Sequence, residues 1–200
     1  AFYWPNYNDI SFPAGILQFP FFFFFSDMAE NYGAIGMTIG HELTHGFDDK
    51  GSKFDEKGNL KQWWTEEDRQ HFDQLGEKLI AQYDTCKIAE NLYVNGKLTN
   101  GENIADLGGV TISFEAYQLH MARTGKREDI NGLTPEQRLF LALGRKWGHN
   151  MRPEVELMLA TTDTHSPDNF RVNVPLSNLD AFYQAFDVKE GDKMYKKPED

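Results

Sequence analysis

The chain has 200 residues, of which 20 are basic and 31 acidic, giving a formal net charge of −11, with 40% hydrophobic and 14% aromatic residues. At this length a domain buries roughly 70% of its unfolded surface, which excludes global disorder, and the acidic balance argues against nucleic acid or an anionic membrane as the main partner. The longest apolar run, Phe19 to Phe25, contains a proline and falls far short of the ~20 residues that span a bilayer, and the lone Cys86 cannot form an internal disulfide.

Residues 1–25 alternate aromatic, proline and turn residues, which predicts extended, packed chain with a short strand at Asp9-Ile10-Ser11-Phe12. Of the five consecutive phenylalanines, Phe21 to Phe25, two or three are expected to be buried. From Gly33 to Phe47 the breakers thin out and Ile35, Ile39 and Leu43 recur every four residues, predicting one buried helix. Asp48 to Leu60 reads as a turn-rich connection with a small hairpin. Thr65-Glu66-Glu67-Asp68 opens a helix with an N-cap and an acidic first turn, and Phe72, Leu75, Leu79, Ile80 and Tyr83 form its apolar stripe. Asn95-Gly96 predicts a hairpin over Leu92 to Thr99.

A second long helix is expected from Glu102 to about Arg123, with Ile104, Leu107, Phe114 and Leu119 facing the core and Gly125 as its stop. Gly108-Gly109 inside it is costly unless another backbone comes close. Thr134-Pro135-Glu136-Gln137 caps a helix to about Trp147, and Pro153 to about Ala160 gives a short one. Thr161 to Asn173 reads as a loop, and Ser177 caps a last helix through Phe186. There is no internal repeat. The sequence thus predicts a single unit, residues 1–200, mainly α with small β elements.

His41-Glu42-Leu43-Thr44-His45 is an H-E-x-x-H pattern within the first long helix. Four residues at ~100° each bring the second imidazole about 40° round and one turn on, so both can bind one metal ion, with Glu42 between them and free to act as a base. A catalytic zinc needs a third protein ligand and an open fourth position. The extended pattern fails, because Asp48 and Gly51 stand where its glycine and third histidine belong. Glu66 and Glu67 have the spacing of thermolysin-like enzymes, but acidic residues are favoured in a helix's first turn without any metal. Glu102 opens the second long helix with Asp106 one turn on, where it can orient a ligating histidine, and Gly108-Gly109 allows the two helices to approach.

Together with Ala1-Phe2-Tyr3, Phe12-Pro13-Ala14-Gly15-Ile16-Leu17-Gln18, Asn31-Tyr32-Gly33, Trp63-Trp64-Thr65, Gly101-Glu102-Asn103-Ile104-Ala105-Asp106 and His165-Ser166-Pro167-Asp168-Asn169-Phe170-Arg171, the pattern resembles the catalytic part of the neprilysin-like (M13) zinc endopeptidases. The resemblance implies a zincin core of the gluzincin, thermolysin-like kind, with His41, His45 and Glu102 holding one Zn²⁺. It also implies Glu42 as general base, Asp106 as the partner of a ligand, His165 as oxyanion stabiliser, Arg171 as a substrate-backbone and site-organising group, and Asp48 and Asp163 as orienting carboxylates. It places Ala1 at the edge that pairs with the peptide, and Ile16, Phe21, Met37 and Trp147 around an apolar pocket for the residue after the scissile bond. By the same resemblance the chain is a C-terminal fragment of an extracytoplasmic protein, without the N-terminal helical lobe, and its partners are peptide substrates and that lobe. The alternative is a non-catalytic zinc-binding or interaction module that retains the fold.

Overall fold

In the computed structural model, which describes residues 1–125 and 128–197, helices dominate and strands are confined to two small ladders. Phe2–Trp4 (β1) pairs antiparallel with Asp9–Ser11 (β2), placing Tyr3 opposite Ile10. Among the described residues this sheet has two strands, so β1 keeps one unpaired edge. Phe21 and Phe22 are half-buried while Phe23, Phe24 and Phe25 are 48%, 79% and 82% exposed, so the expected burial of two or three phenylalanines is not met.

Asp27 opens the first long helical run by accepting from the Glu30 N–H. Met28–Asn31 (α1) passes through a π turn at Tyr32–Gly36 into Met37–Thr44 (α2) and ends in a 3₁₀ turn at His45–Phe47. The run is therefore longer than the predicted helix, and its buried face differs. Ile39 and Leu43 are 40% and 46% exposed, whereas Ala34, Ile35, Met37, Thr38 and His41 face inward. The cause is a close crossing with Gly96–Thr124 (α4). A Cβ on Gly109 would lie 2.8 Å from the His41 nitrogen and the Met37 carbonyl oxygen, and a Cβ on Gly40 would lie 2.8 Å from the Gly109 oxygen. Two glycines let the backbones touch, and the small-residue face wins the buried position over the aliphatic row.

Glu66–Asp84 (α3) starts on the Thr65 cap as expected, but Leu75 is exposed while Gly76 and Tyr83 are buried. Lys87–Ala89 (β3) pairs with Leu92–Tyr93 (β4), so the hairpin turns before the Asn95-Gly96 pair. That pair instead starts α4. The Asn95 side chain accepts from the Leu98 N–H, and the Gly96 N–H donates to Asp84 at 2.8 Å. Asn and Gly serve helix starts as well as hairpin turns, and here the end of α3 decides between them. α4 is consequently longer than predicted, and Leu119 is 60% exposed while Val110, Tyr117 and Met121 enter the core.

Pro135–Lys146 (α5) carries the predicted capping box of Thr134 and Gln137. Pro153–Thr162 (α6) and Asp168–Leu176 (α7) shrink the predicted loop to five residues, 163–167, and put Arg171 on a helix. Ser177 ends α7 rather than capping the last helix, Asp180–Phe186 (α8). The main core gathers Met37, Val110, Tyr117, Leu139, Phe140, Leu143, Leu176 and Phe182 from α2, α4, α5, α7 and α8. Through it α4 is fixed against α2 on one side and α7 on another, and this arrangement brings the polar cluster together.

Candidate metal centre

Four residues apart on one helical run, His41 and His45 bring their Nε2 atoms to 3.0 Å of each other. From α4, Glu102 presents Oε2 at 3.3 Å from His41 Nε2 and 3.6 Å from His45 Nε2. Each histidine has a carboxylate on its other nitrogen. His41 Nδ1 lies 2.8 Å from Asp106 Oδ1, and His45 Nδ1 lies 2.7 Å from Asp48 Oδ2. The Asp48 carboxylate is itself pinned by the N–H groups of Lys50 and Gly51 at 2.8 and 2.6 Å.

This geometry fits a metal ion on its own terms. Carboxylates at Nδ1 hold the proton there and turn the Nε2 lone pairs inward. Two imidazole nitrogens and a carboxylate oxygen then converge, all within 4.8 Å of one another. Such a set repels itself unless a cation lies between. Two imidazoles and one carboxylate, leaving a fourth position open, make the donor set of a catalytic zinc.

Where no metal competes, protons answer the same crowding. Burial opposes a charge on His41, but hydrogen bonds with Asp106 and Glu102 overcome it and push its pKa up to about 9. Burial likewise opposes a charge on Glu102, yet hydrogen bonds from His165 and His41 hold it well below the usual carboxylate range.

Asp106 has no exposed surface and also accepts from Arg171, through Nε at 2.7 Å and Nη2 at 2.9 Å. Arg171, 6% exposed, thus commits Nε and Nη2 to Asp106, lies within 3.7 Å of Glu102, and still lines a neighbouring cleft. His165 lies in the α6–α7 connection with Nε2 3.2 Å from Glu102 Oε2 and Nδ1 2.6 Å from Asp163 Oδ1. Its pKa is raised, first by the hydrogen bond to Glu102. Glu42 is 5% exposed and lines a cleft of about 380 Å³ with His41, His45, Glu102, His165 and Ala1. Ala1, one residue before β1, lines this cleft.

Glu66 and Glu67 occupy the exposed first turn of α3, outside the cluster of His41, His45 and Glu102. The expected pocket residues are less united. Ile16, Phe21 and Trp147 are half-buried, but Met37 is 1% exposed and belongs to the core. Trp147 lines a second cleft, of about 680 Å³, together with His165, Asp163 and Arg171. His149, in the same cleft, pairs with Asp168 at 3.1 Å.

Two contributions escape sequence reasoning. The side chain of Asn103, fully buried beside Glu102, accepts from Ser166 Oγ at 2.7 Å, which ties α4 to the connection that carries His165. Only its place in the Gly101–Asp106 stretch signals it. Lys146 is buried near Met37 and Trp147, and nothing in its spacing marks it.

Residues 1–200 match the family model described as peptidase family M13. The chain is 46% identical to membrane metallo-endopeptidase-like 1 of Homo sapiens, over 98% of the chain and 26% of that protein. It is 41% identical to the neutral endopeptidase of Lactococcus lactis, over its whole length and 30% of that protein. The structure of the Mycobacterium tuberculosis zinc metalloprotease ZMP1 in complex with inhibitor superposes with a TM-score of 0.96 at 44% identity, covering 99% of this chain and 31% of that one. The chain therefore spans about a quarter to a third of the length of the proteins it matches.

Proposed function

Because the chain belongs to peptidase family M13, we propose that it carries the catalytic centre of a zinc-dependent endopeptidase that cuts internal bonds of oligopeptides. The observation that carries this reading is the convergence of His41, His45 and Glu102 in one cleft with a buried Glu42. A zinc ion held by those three residues supplies Lewis acidity towards a peptide carbonyl and towards water. Glu42 takes the proton of the attacking water and delivers it to the leaving amine. His165, placed 3.2 Å from Glu102 and steadied by Asp163, donates an N–H to the oxygen on which negative charge builds. Asp106 and Asp48 hold the ligand imidazoles in register, and Arg171 fixes Asp106 while presenting a cation to the substrate backbone.

The peptide adds to the free edge of β1 at Ala1, and the side chain after the scissile bond enters between the partly exposed, apolar Ile16, Phe21 and Trp147. An N-terminal helical lobe belongs to the proposal as the element that limits substrates to oligopeptides. Supporting it, Ile39, Leu43 and Phe47 form an apolar row on the helical run that is 40–55% exposed. No described helix is long and apolar enough to cross a membrane, and the extracytoplasmic placement follows the family resemblance.

A fluorogenic oligopeptide series tests the reading. Cleavage by the zinc-loaded protein is expected, with loss on chelation and recovery on adding zinc. Bound zinc with no cleavage of any peptide would leave the non-catalytic alternative standing.

The protonation of His41 adds a pH dependence. Below about 9 its proton must leave before the imidazole can bind metal, so zinc affinity is expected to fall about tenfold per pH unit from this group as pH drops. Competitive zinc titrations between about pH 6 and 8 check this, and a flat profile would contradict the ligand role of His41.

A further inference from the structure

A line of buried hydrogen bonds joins the start of α4 to the connection between α6 and α7. Ser166 Oγ donates to Asn103 Oδ1 at 2.7 Å, Asn103 Nδ2 donates to Thr99 Oγ1 at 2.9 Å, and Thr99 Oγ1 donates to the Asn95 carbonyl oxygen at 3.1 Å. The far end of the line fixes its direction. Thr99 gives its one hydroxyl hydrogen to a carbonyl that can only accept, so the Asn103 amide turns its NH₂ to Thr99 and its oxygen to Ser166. Asn103 has no exposed surface, and Thr99 and Ser166 are buried, so a partner lost here is not replaced by bulk water.

The near end joins the sequence neighbours of two site residues. Asn103 follows Glu102, Ser166 follows His165, and the Glu102 and His165 side chains meet at 3.2 Å. Among the residues of this connection, 163–167, Ser166 alone is buried. Asp163 accepts from the His165 N–H at 2.9 Å and faces its Nδ1 at 2.6 Å, but it belongs to the same connection, so it sets the rotation of the ring without anchoring it to the body of the protein. Backbone hydrogen bonds of the connection run to its own flanks. The Asp163 N–H donates to the Leu159 oxygen, and the Pro167 oxygen accepts from Phe170 and Arg171. Glu102 Oε2 also faces His41 and His45, which commits it to the metal. The hydrogen bond between Ser166 and Asn103 is therefore what ties the segment bearing His165 to the helix bearing Glu102.

We propose that Asn103 and Ser166 are positioning residues: their buried hydrogen bond sets the separation between the third metal ligand, Glu102, and the oxyanion donor, His165. Losing it slows turnover through His165 and leaves zinc affinity unchanged. A donor stabilises a transition state only where it is already aimed, and small displacements of such a group are costly. The proposal rests on the peptidase reading for the task of His165.

The test compares Ser166→Ala and Ser166→Gly, which remove the donor, with Ser166→Thr, which keeps it. In the zinc-loaded protein the first two are expected to lower kcat on a fluorogenic peptide about tenfold with KM and zinc affinity unchanged, and Ser166→Thr to recover most of the loss. In a His165→Ala background Ser166→Ala should change kcat no further, because the group it positions is gone. A hydrogen bond needed only for folding would act alike in both backgrounds, so an equal loss of kcat with and without His165 would overturn the proposal. Unchanged kcat in Ser166→Ala and Ser166→Gly would overturn it while leaving the peptidase reading in place. Amide hydrogen exchange over residues 163–167, read by mass spectrometry on metal-free and zinc-loaded protein, needs no turnover. Faster exchange in Ser166→Ala supports the tie even if no peptide is cut, and unchanged exchange refutes it even if peptides are cleaved.

Discussion

Replacing Glu42 by Gln is expected to leave zinc binding intact and to lower kcat by about 10²–10⁴, the range that a positioned general acid–base supplies. The substitution keeps size and hydrogen-bonding capacity but removes the carboxylate that accepts the proton. Glu42 lines the same cleft as the ligand histidines yet is not one of the three converging ligands, so metal content and turnover should separate. Zinc content by elemental analysis and turnover of a fluorogenic peptide are measured on the same preparation. A variant that cleaves at the unmodified rate would remove Glu42 from the mechanism. A variant that loses zinc would mean that Glu42 helps hold the metal.

Asp106→Ala should be the most damaging single change near the site. The carboxylate has no exposed surface, accepts two hydrogen bonds from Arg171 and lies 2.8 Å from His41 Nδ1. Removing it strands a buried guanidinium, which costs about 3–5 kcal/mol, and frees the orientation of a ligand, which weakens metal affinity about 10–100-fold. Thermal unfolding of the metal-free protein reads the first effect, and zinc titration of the folded protein reads the second. Asp106→Asn keeps an acceptor oxygen and should fall between. If Asp106→Ala melts with the unmodified protein, the buried pair is not the brace described here.

The elements with local signals were legible in the sequence. The Thr134 capping box, the Thr65 cap and the Gly125 stop are side-chain or backbone chemistry written within a few residues, and each sits where expected. Spacing also brought His41, His45 and Glu102 forward as candidates, because a helix converts an interval of four into one face. What periodicity misread was decided by contacts distant in sequence. Ile39 and Leu43 follow the apolar row, but Gly40 against Gly109 sets which face is buried. Asn95-Gly96 has hairpin chemistry, but its contact with Asp84 makes it a helix start. Residues 161–173 read as a loop from the sequence, yet Arg171 lies on a helix there with its ion pair to Asp106 buried. Lys146 carried no signal at all, since a lysine near a helix C-terminus ordinarily points to water.

The central claim is that two imidazoles and the Glu102 carboxylate hold one zinc. Elemental analysis of this protein and of Glu102→Ala, purified identically, tests it most directly. About one zinc per chain in the first and a clear loss in the second is the predicted result. Equal zinc in both would contradict the account and place the third ligand elsewhere.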